Sequence, residues 1–177
     1  NPDYLTGYNS VNFDGVYVLD RMKVLGIHSW ASQITRRIGF SLNFKKTTKH
    51  SNQFGSRDVV SYVSPGLLMF DQFESLKGDP TKKMDSYSLK AVCAKYLGDD
   101  NKEDLRYRDI PELFKTPSGH AKIASYCLKD GELLLSLEKA VMFGINTQAN
   151  AQVLNTTLDV VCNKGLGFKL TGKLKEY

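Results

Sequence analysis

Long apolar runs are missing from this sequence of 177 residues. The longest one, ELLLSLEKAVMF, is interrupted by charge well before the roughly 20 residues that a membrane-spanning helix needs. No basic and then apolar leader opens the chain, so a secretory signal is not expected either. With 41% hydrophobic residues, the chain can still bury a core of its own. These features predict a soluble globular protein that works away from the membrane.

Cysteine is scarce, and its spacing excludes two classes of protein. Cys93, Cys127 and Cys162 are odd in number and far apart, and no Cys-x-x-Cys or Cys/His cluster occurs. A disulfide framework and a zinc site of the Cys/His type are therefore not expected. We interpret the three residues as reduced, mostly buried thiols of an intracellular protein.

Acidic residues are absent between residues 36 and 57, although the whole chain has a net charge of only +5. This stretch, called the basic segment below, has a net charge of +6 from Arg36, Arg37, Lys45, Lys46, Lys49 and Arg57. Aromatic residues lie between these charges, and such a composition suits a polyanion. A solvated hairpin or loop that stays soluble through its charge explains the same pattern, and charge alone does not decide between the two.

Hydrophobic periodicity predicts a strand followed by a helix at the start of the chain. DYLTGY is a short β-type run that ends at Gly7, and NSVNFDGVYVLDRMKVLG then has helical spacing. Asn9 or Ser10 is the expected N-cap of this helix, and Gly26 is its expected stop. Its predicted buried face consists of Val11, Val16, Leu19 and Met22.

The middle of the chain predicts strands and then further helices. SWASQITRRIGF indicates a short helix, and residues 41–71 indicate strands with a turn at Pro65 and Gly66. DQFESLKG predicts a helix closed by Gly78. SYSLKAVCAKYLG predicts another, capped by Ser86 or Ser88.

The longest helical pattern is TPSGHAKIASYCLKDGELLLSLEKAVMF, after the short helix IPELFK and a hydrophilic connection. Its predicted apolar stripe is formed by Ile123, Cys127, Leu134, Leu137 and Val141. Mixed helical segments follow Gly144. Strands mixed with helices favour a layered α/β domain over residues 1–143, and residues 144–177 are expected to connect it to something else.

Two places in the chain carry candidate chemistry. Asp14 begins a helix just after a strand end, where side chains of open α/β sheets line a cleft, but the helix dipole alone also favours an acidic residue there. Tyr126 and Asp130 are four residues apart and share a helix face, so a carboxylate that can bind a metal lies beside a phenol that can orient a water. An ordinary solvated face would have the same spacing.

The order of these fragments resembles the 3′–5′ proofreading exonuclease domain of family B DNA polymerases. GYNSVNFD is similar to its second exonuclease motif, through Asn9 and Phe13-Asp14, and YCLKD is similar to the third, Tyr-x-x-x-Asp, through Tyr126 and Asp130. KMDSYSLKAVCAKYLG between them resembles a lysine-bearing stretch that starts at Lys83. FGINTQANAQVLN and GLGFK resemble the passage toward the polymerase palm, so the resemblance, of delta-like or large-DNA-virus type, covers nearly the whole chain.

This resemblance implies a partial RNase H-like (DnaQ-like) fold and two-metal phosphodiester hydrolysis with two Mg²⁺ or Mn²⁺ ions. It implies that Asp14 and Asp130 are metal ligands and that Tyr126 positions the attacking water. It also implies that Asn9 and Phe13 hold a single-stranded DNA 3′ end. Lys83 is expected to contact the scissile phosphate.

One departure from the family pattern concerns the first exonuclease motif, an Asp-x-Glu on a strand. Only eight residues precede Asn9, and Asp3 among them is followed by Tyr4 and Leu5. We therefore expect the chain to lack the N-terminal strands of the fold and two of its four carboxylates. Alone it is expected to be inactive.

Two functions stay open at this stage. In the first, the chain is a segment of an intracellular DNA-directed DNA polymerase, a nucleotidyltransferase of the nucleus or of a viral replication site. Its partners are then primer–template DNA, the rest of the polymerase chain and a processivity factor, with no membrane involved. In the second, a degenerate exonuclease-like module binds single-stranded DNA or a protein partner without catalysis, and the basic segment is its working surface.

Overall fold

The computed structural model describes residues 4–51, 55–64, 66–98 and 105–163. Its backbone separates into two compact units, and the first, called the sheet unit here, comprises Asn1–Lys82 and Ile145–Tyr177. The second, called the helical unit, comprises Lys83–Gly144. The architecture is mixed α/β and mostly helical, in agreement with the predicted class.

The elements follow the predicted order of early strands and later helices. Up to residue 78 they are β1 (Tyr4–Gly7), α1 (Asp14–Val24), α2 (Ala31–Ile34), β2 (Asn43–Ser51), β3 (Gly55–Val63), β4 (Leu68–Asp71) and α3 (Gln72–Gly78). The later ones are α4 (Leu89–Leu97), α5 (Ile110–Leu113), α6 (Pro117–Val141), α7 (Phe143–Val153) and α8 (Leu158–Asn163). Short 3₁₀ turns occupy His28–Trp30, Pro80–Lys82 and Tyr107–Asp109.

Strands β1 and β4 pair in parallel, with Tyr4 opposite Leu68 and Gly7 opposite Asp71. Parallel strands need a crossover connection, and here it contains α1, α2 and a hairpin. Strand β4 is almost entirely buried, as its continuous apolar sequence requires, whereas Tyr4 is exposed. Because both strands run the same way, their carboxyl ends lie at one edge.

The core of the sheet unit collects apolar side chains from the helices, from β4 and from the connections between them. Met22 and Ile34 pack against a buried cluster made of Val11, Leu19, Ala31, Leu42 and Met69. The backbone N–H of Leu42 donates to the carbonyl of Ala31 over 3.1 Å and so fixes the approach to β2. The prediction of a buried face is confirmed at Val11 and Leu19, while Met22 and Val16 are half-buried.

The predicted start of α1 is wrong. The helix begins at Asp14, and the preceding Phe13 makes no side-chain capping bond. Asn9 has a φ of 56°, outside the helical region, and its N–H is bound by the carboxylate of Asp71. Residues 9–13 are therefore held in a turn by a contact with β4. The stop at Gly26 is confirmed, since it adopts a φ of 71°.

Strands β2 and β3 form an antiparallel hairpin, in register from Asn43 opposite Val63 to Ser51 opposite Gly55. The basic segment therefore begins before the hairpin and continues through β2 into β3. The turn predicted near Gly66 is confirmed, since this residue adopts a φ of 81°, while Pro65 lies outside the described residues. A Cβ at Gly66 would come within 2.9 Å of the Cβ of Arg36, so the turn closes against the start of the basic segment.

Side chains on α4 and α6 form the interior of the helical unit, where α4 and α5 pack against α6. Val92 and Cys93 of α4 are buried. Ser88 caps α4 by accepting the N–H of Ala91 over 3.2 Å, as one of the two predicted choices, and Gly98 follows the helix with a φ of 67°.

The predicted apolar stripe of α6 is partly wrong. Cys127 is exposed and Leu134 is half-buried, whereas Leu133 is buried together with Leu137 and Val141. Over the 25 residues of α6, the less exposed positions recur at steps of three and four. Among them are Gly119, Ile123, Tyr126, Asp130, Leu133, Leu137 and Val141, a set called the inward stripe below, and the half-buried Leu134 and Glu138 lie beside it. The expectation of mostly buried thiols likewise holds fully only for Cys93, because Cys162 is half-buried.

Helix α6 ends at Met142, which adopts a φ of 55°. Helix α7 begins at the next residue, so Gly144 lies inside a helix, and its N–H donates to Oε1 of Glu138 over 2.7 Å. The helical segments predicted after Gly144 are confirmed as α7 and α8. The charged connection at residues 99–104 and the basic end at residues 164–177 lie outside the described residues. In the described part of the chain, no helix has the length and apolar character needed to cross a bilayer.

Replacing Gly119 by Ala tests the close approach of α5 and α6. A Cβ at Gly119 would collide with the backbone carbonyl of Leu113, which cannot move away as a flexible side chain could. We expect a loss of about 1–3 kcal/mol in the free energy of unfolding, measured by chemical denaturation. Gly131 is the control on the same helix, since a Cβ there meets nothing within 4 Å, and its replacement by Ala should stabilise by up to about 1 kcal/mol. Equal effects would contradict this account.

Asp79 predicts a pH dependence of stability. The hydroxyl of Thr81 donates to the carboxylate of Asp79 over 2.6 Å. This bond lowers the pKa of Asp79 below its ordinary value of 3.8, and the Thr81 N–H and Lys82 lower it further. Partial burial raises the pKa but does not outweigh these bonds. A lowered folded-state pKa stabilises the fold above the ordinary value, and that stabilisation is lost as the pH falls through the folded pKa. In urea titrations, Asp79→Asn should be less stable than the parent at neutral pH, and the gap should close in acid. A gap that persists at low pH would contradict the prediction.

Candidate functional site

The candidate site begins where the carboxyl ends of β1 and β4 meet, with Gly7 opposite Asp71. In open α/β sheets, this edge is where ligands bind. The chain leaves β1 through residues 8–13, called the site turn here, and enters α1 at Asp14. Asn9, Phe13 and Asp14 are therefore all placed at that edge by the end of one strand and the start of one helix.

The carboxylate of Asp71 holds the site turn. Only 8% of this residue is exposed, and its two oxygens accept from two segments of the chain. Oδ1 accepts the N–H of Asn9 at 2.9 Å, of Phe73 at 3.0 Å and of Glu74 at 3.4 Å. Oδ2 accepts the N–H of Val11 at 3.2 Å and the hydroxyl of Ser10 at 3.5 Å. One side chain thus caps α3 and orders the site turn.

Asp71 was not among the residues predicted from the sequence, although part of its role is readable there. An Asp that ends an apolar run just before a helical pattern is a good N-cap, and Asp71 is the N-cap of α3. The bonds to Asn9 and Val11 link residues about sixty positions apart, and no local pattern indicates them.

Further contacts close the site turn. A Cβ at Gly7 would collide with the side chain of Ser10, so the start of the turn requires glycine. The N–H of Gly15 donates to the Ser10 carbonyl over 2.8 Å, and Nδ2 of Asn12 donates to Oδ1 of Asn9 over 3.0 Å. These bonds fix the backbone from the end of β1 to the first turn of α1.

Three side chains at this edge face solvent. Phe13 is 72% exposed, and Asn9 and Asp14 are exposed as well. An exposed aromatic ring can stack on a base of single-stranded nucleic acid, and a carboxylate beside it can bind a hard cation. The edge therefore carries chemical groups that suit a nucleic acid together with a metal.

Tyr126 and Asp130 lie together on the inward stripe of α6, where both are half-buried. Their neighbours Cys127 and Leu128 are exposed, so the polar pair does not belong to the solvated face of the helix. A phenol and a carboxylate one turn apart can share a water molecule or a cation. The burial of the pair is not what an ordinary solvated face would have.

Lys83 is the first residue of the helical unit, and it is exposed. Its carbonyl accepts from Nζ of Lys95 over 3.5 Å. Asp14 belongs to the sheet unit and Asp130 to the helical unit. Among the residues described, no group of three or more His, Cys, Asp and Glu side chains could hold a metal ion.

Comparison with known proteins gives the family. The family model described as DNA polymerase family B, exonuclease domain, matches residues 1–92, which include the site turn, Asp71 and Lys83. The chain belongs to this family of polymerase exonuclease domains, which confirms the resemblance seen in the sequence.

Relatives of this chain include DNA polymerase delta catalytic subunits from distant organisms. That of Schizosaccharomyces pombe is 35% identical over 98% of this chain and 16% of the relative. Those of Bos taurus and Plasmodium falciparum are 33% and 32% identical, with the same coverage. The chain thus spans about a sixth of the length of these relatives, and the similarity extends beyond residue 92 to the region of Tyr126 and Asp130.

Proposed function

We propose that this chain forms part of the 3′–5′ proofreading exonuclease of a DNA-directed DNA polymerase, and that its substrate is the single-stranded 3′ end of DNA. The observation that carries the proposal is the exposed group of Asn9, Phe13 and Asp14 at the carboxyl edge of a parallel strand pair. This group lies inside the family match. Similarity to delta catalytic subunits supports the polymerase context.

The proposed metal ligands are Asp14 and Asp130, whose carboxylate oxygens are the donors that Mg²⁺ and Mn²⁺ prefer. Two such ions, when bound, supply an activated water and stabilise the leaving 3′ oxygen. The hydroxyl of Tyr126 orients the attacking water, one helical turn from Asp130.

Substrate binding is proposed for the remaining site residues. The ring of Phe13 stacks on the terminal base, and the amide of Asn9 binds the strand beside it. The ammonium group of Lys83 neutralises the scissile phosphate, so that the attacking water meets less negative charge. These roles leave the chemistry to the carboxylates and the positioning of the strand to Asn9, Phe13 and Lys83.

Two carboxylates are too few for a pair of divalent ions, so we propose that a strand with Asp-x-Glu comes from another part of the parent polypeptide. In this proposal residues 1–143 are a partial RNase H-like domain without its N-terminal strands, and residues 144–177 lead toward the polymerase palm. The chain alone is then inactive.

The proposed parent protein is an intracellular nucleotidyltransferase of the nucleus or of a viral replication site. It binds primer–template DNA, and a processivity factor is its further partner. The rest of the polymerase chain contacts this exonuclease segment.

A second candidate function is supported by the hairpin of β2 and β3. Lys45, Lys46, Lys49 and Arg57 of the basic segment lie on its two strands, and Lys49 is paired with Arg57 in the register of the hairpin. In this alternative the module binds single-stranded DNA, or a protein partner, without hydrolysis.

Asp14 and Asp130 test the nuclease proposal in a longer polypeptide that supplies the Asp-x-Glu strand. Asp14→Asn and Asp130→Asn should each reduce Mg²⁺-dependent 3′-end hydrolysis of labelled single-stranded DNA by about a hundredfold or more, because each removes a charge that stabilises the reacting centre. Asp20→Asn is the control on α1, since Asp20 is exposed and pairs with Lys23 at the surface. Hydrolysis at the parent rate by Asp130→Asn would remove Asp130 from the site.

Salt dependence tests the binding module with the chain itself. Replacing Lys45, Lys46 and Lys49 together by Gln should weaken binding of labelled single-stranded DNA. The slope of log affinity against log salt should fall by about 0.7 for each phosphate that a lysine no longer neutralises. The control replaces three lysines of the helical unit, Lys115, Lys129 and Lys139, by Gln. Equal slopes for the two triple variants would exclude the basic segment as the binding surface.

A further inference from the structure

We propose that Asp71 is a positioning residue of the nuclease site, whose carboxylate holds the site turn, Oδ1 at Asn9 and Oδ2 at Ser10 and Val11, so that Asp14 and Asn9 point to the metal ions and the DNA. This inference rests on the proposed nuclease function. Asp71 itself is buried at the end of β4 and takes no part in the chemistry.

The carboxylate of Asp71 has two acceptor oxygens, and capping of α3 uses only Oδ1. Oδ1 alone satisfies the N–H groups of Phe73 and Glu74 at the start of α3. Oδ2 is left for the site turn, where it accepts the N–H of Val11 and the hydroxyl of Ser10. Oδ1 also accepts the N–H of Asn9, so the site turn uses both oxygens, and capping α3 leaves the bonds of Oδ2 unexplained.

The site turn depends on this support because its local sequence does not favour its conformation. Asn9 has a φ of 56°, a region that is uncommon for residues other than glycine, although asparagine tolerates it better than most. Phe13 provides no side-chain cap for α1. A turn with a left-handed backbone residue at one end and a helix without a side-chain cap at the other is held in shape by further contacts, and the bonds from Asp71 are such contacts.

The position of Asp14 follows from the same bonds. Asp71 fixes the N–H of Val11 at 3.2 Å, and the adjacent Ser10 carbonyl accepts the N–H of Gly15 at 2.8 Å. Asp14 directly precedes Gly15, so its backbone is tied to β4 through two consecutive hydrogen bonds. If Oδ2 loses its bonds, the start of α1 is free to shift relative to the strand edge.

The variant Asp71→Asn distinguishes capping of α3 by Oδ1 from binding of the site turn by Oδ2. Asparagine caps helices as well as aspartate does, so its amide oxygen is expected at the Oδ1 position, where it retains both the cap of α3 and the bond from the N–H of Asn9. The amide NH₂ then faces the N–H of Val11, and two donors meet without an acceptor. Asp71→Ser is a second variant, because serine also caps helices but has a single oxygen to offer.

Amide hydrogen exchange, followed by NMR on the chain itself, is the first measurement. The N–H of Val11 should exchange at least about tenfold faster in both variants, whereas the N–H groups of Phe73 and Glu74 should keep their protection. Asp79→Asn is the matched control, since it makes the same chemical change at another capping carboxylate of the sheet unit and should leave Val11 unchanged. Retained protection of Val11 in both Asp71 variants would overturn the proposal.

The metal dependence of hydrolysis, in a polypeptide with the Asp-x-Glu strand, is the second measurement. Asp71→Asn should raise the half-saturating Mn²⁺ concentration by about 10–100-fold, because removing a residue that orients a metal ligand weakens metal binding by that much. Excess Mn²⁺ should then restore much of the rate. A variant that is merely less stable lowers the amount of active enzyme without moving this midpoint. An unchanged midpoint of the Mn²⁺ dependence, or equal midpoints for Asp71→Asn and Asp79→Asn, would overturn the proposal.

The two experiments also distinguish failure of this inference from failure of the proposed function. If the unsubstituted enzyme does not hydrolyse DNA, the proposed function is wrong. The hydrogen exchange of Val11 alone then decides whether Asp71 holds the site turn.

Discussion

The buried carboxylate of Asp71 accepts hydrogen bonds from two parts of the chain that lie about sixty residues apart in sequence. A buried anion is costly unless it is well hydrogen-bonded, and here backbone N–H groups from α3 and from the site turn compensate it. The same bonds set the start of α1, and with it the placement of Asn9 and Asp14. The end of β4, the cap of α3 and the candidate site thus depend on one side chain.

The helical unit also contains a carboxylate that is partly shielded from solvent, that of Asp130 on α6. Tyr126 and Asp130 occupy two positions of the inward stripe, whose later positions are filled by Leu133, Leu137 and Val141. A half-buried carboxylate contributes less to packing than an aliphatic side chain would. Departures of this kind from the packing pattern are expected at functional positions, which is the role proposed for this pair.

Prediction from sequence succeeded where a short stretch of chain contains the whole cause. The end of β1 at Gly7, the stop at Gly26 and the cap at Ser88 follow from local backbone preference. It failed at the start of α1, because Asn9 and Ser10 are bound by a distant carboxylate and are unavailable as caps. It also placed Cys127 in the buried stripe of α6, although this residue is exposed, because the elements packed on a helix decide which of its faces is buried.

The sequence by itself determined the order of strands and helices, the family, and the candidate residues from Asn9 to Asp130, because motif spacing and hydrophobic period are properties of neighbouring residues. Only the tertiary structure decided that β1 and β4 end side by side, that Asp71 binds the site turn, and that Tyr126 and Asp130 are half-buried. These depend on strand pairing and packing between residues distant in the chain, and the free energy of such contacts leaves no trace in any local pattern.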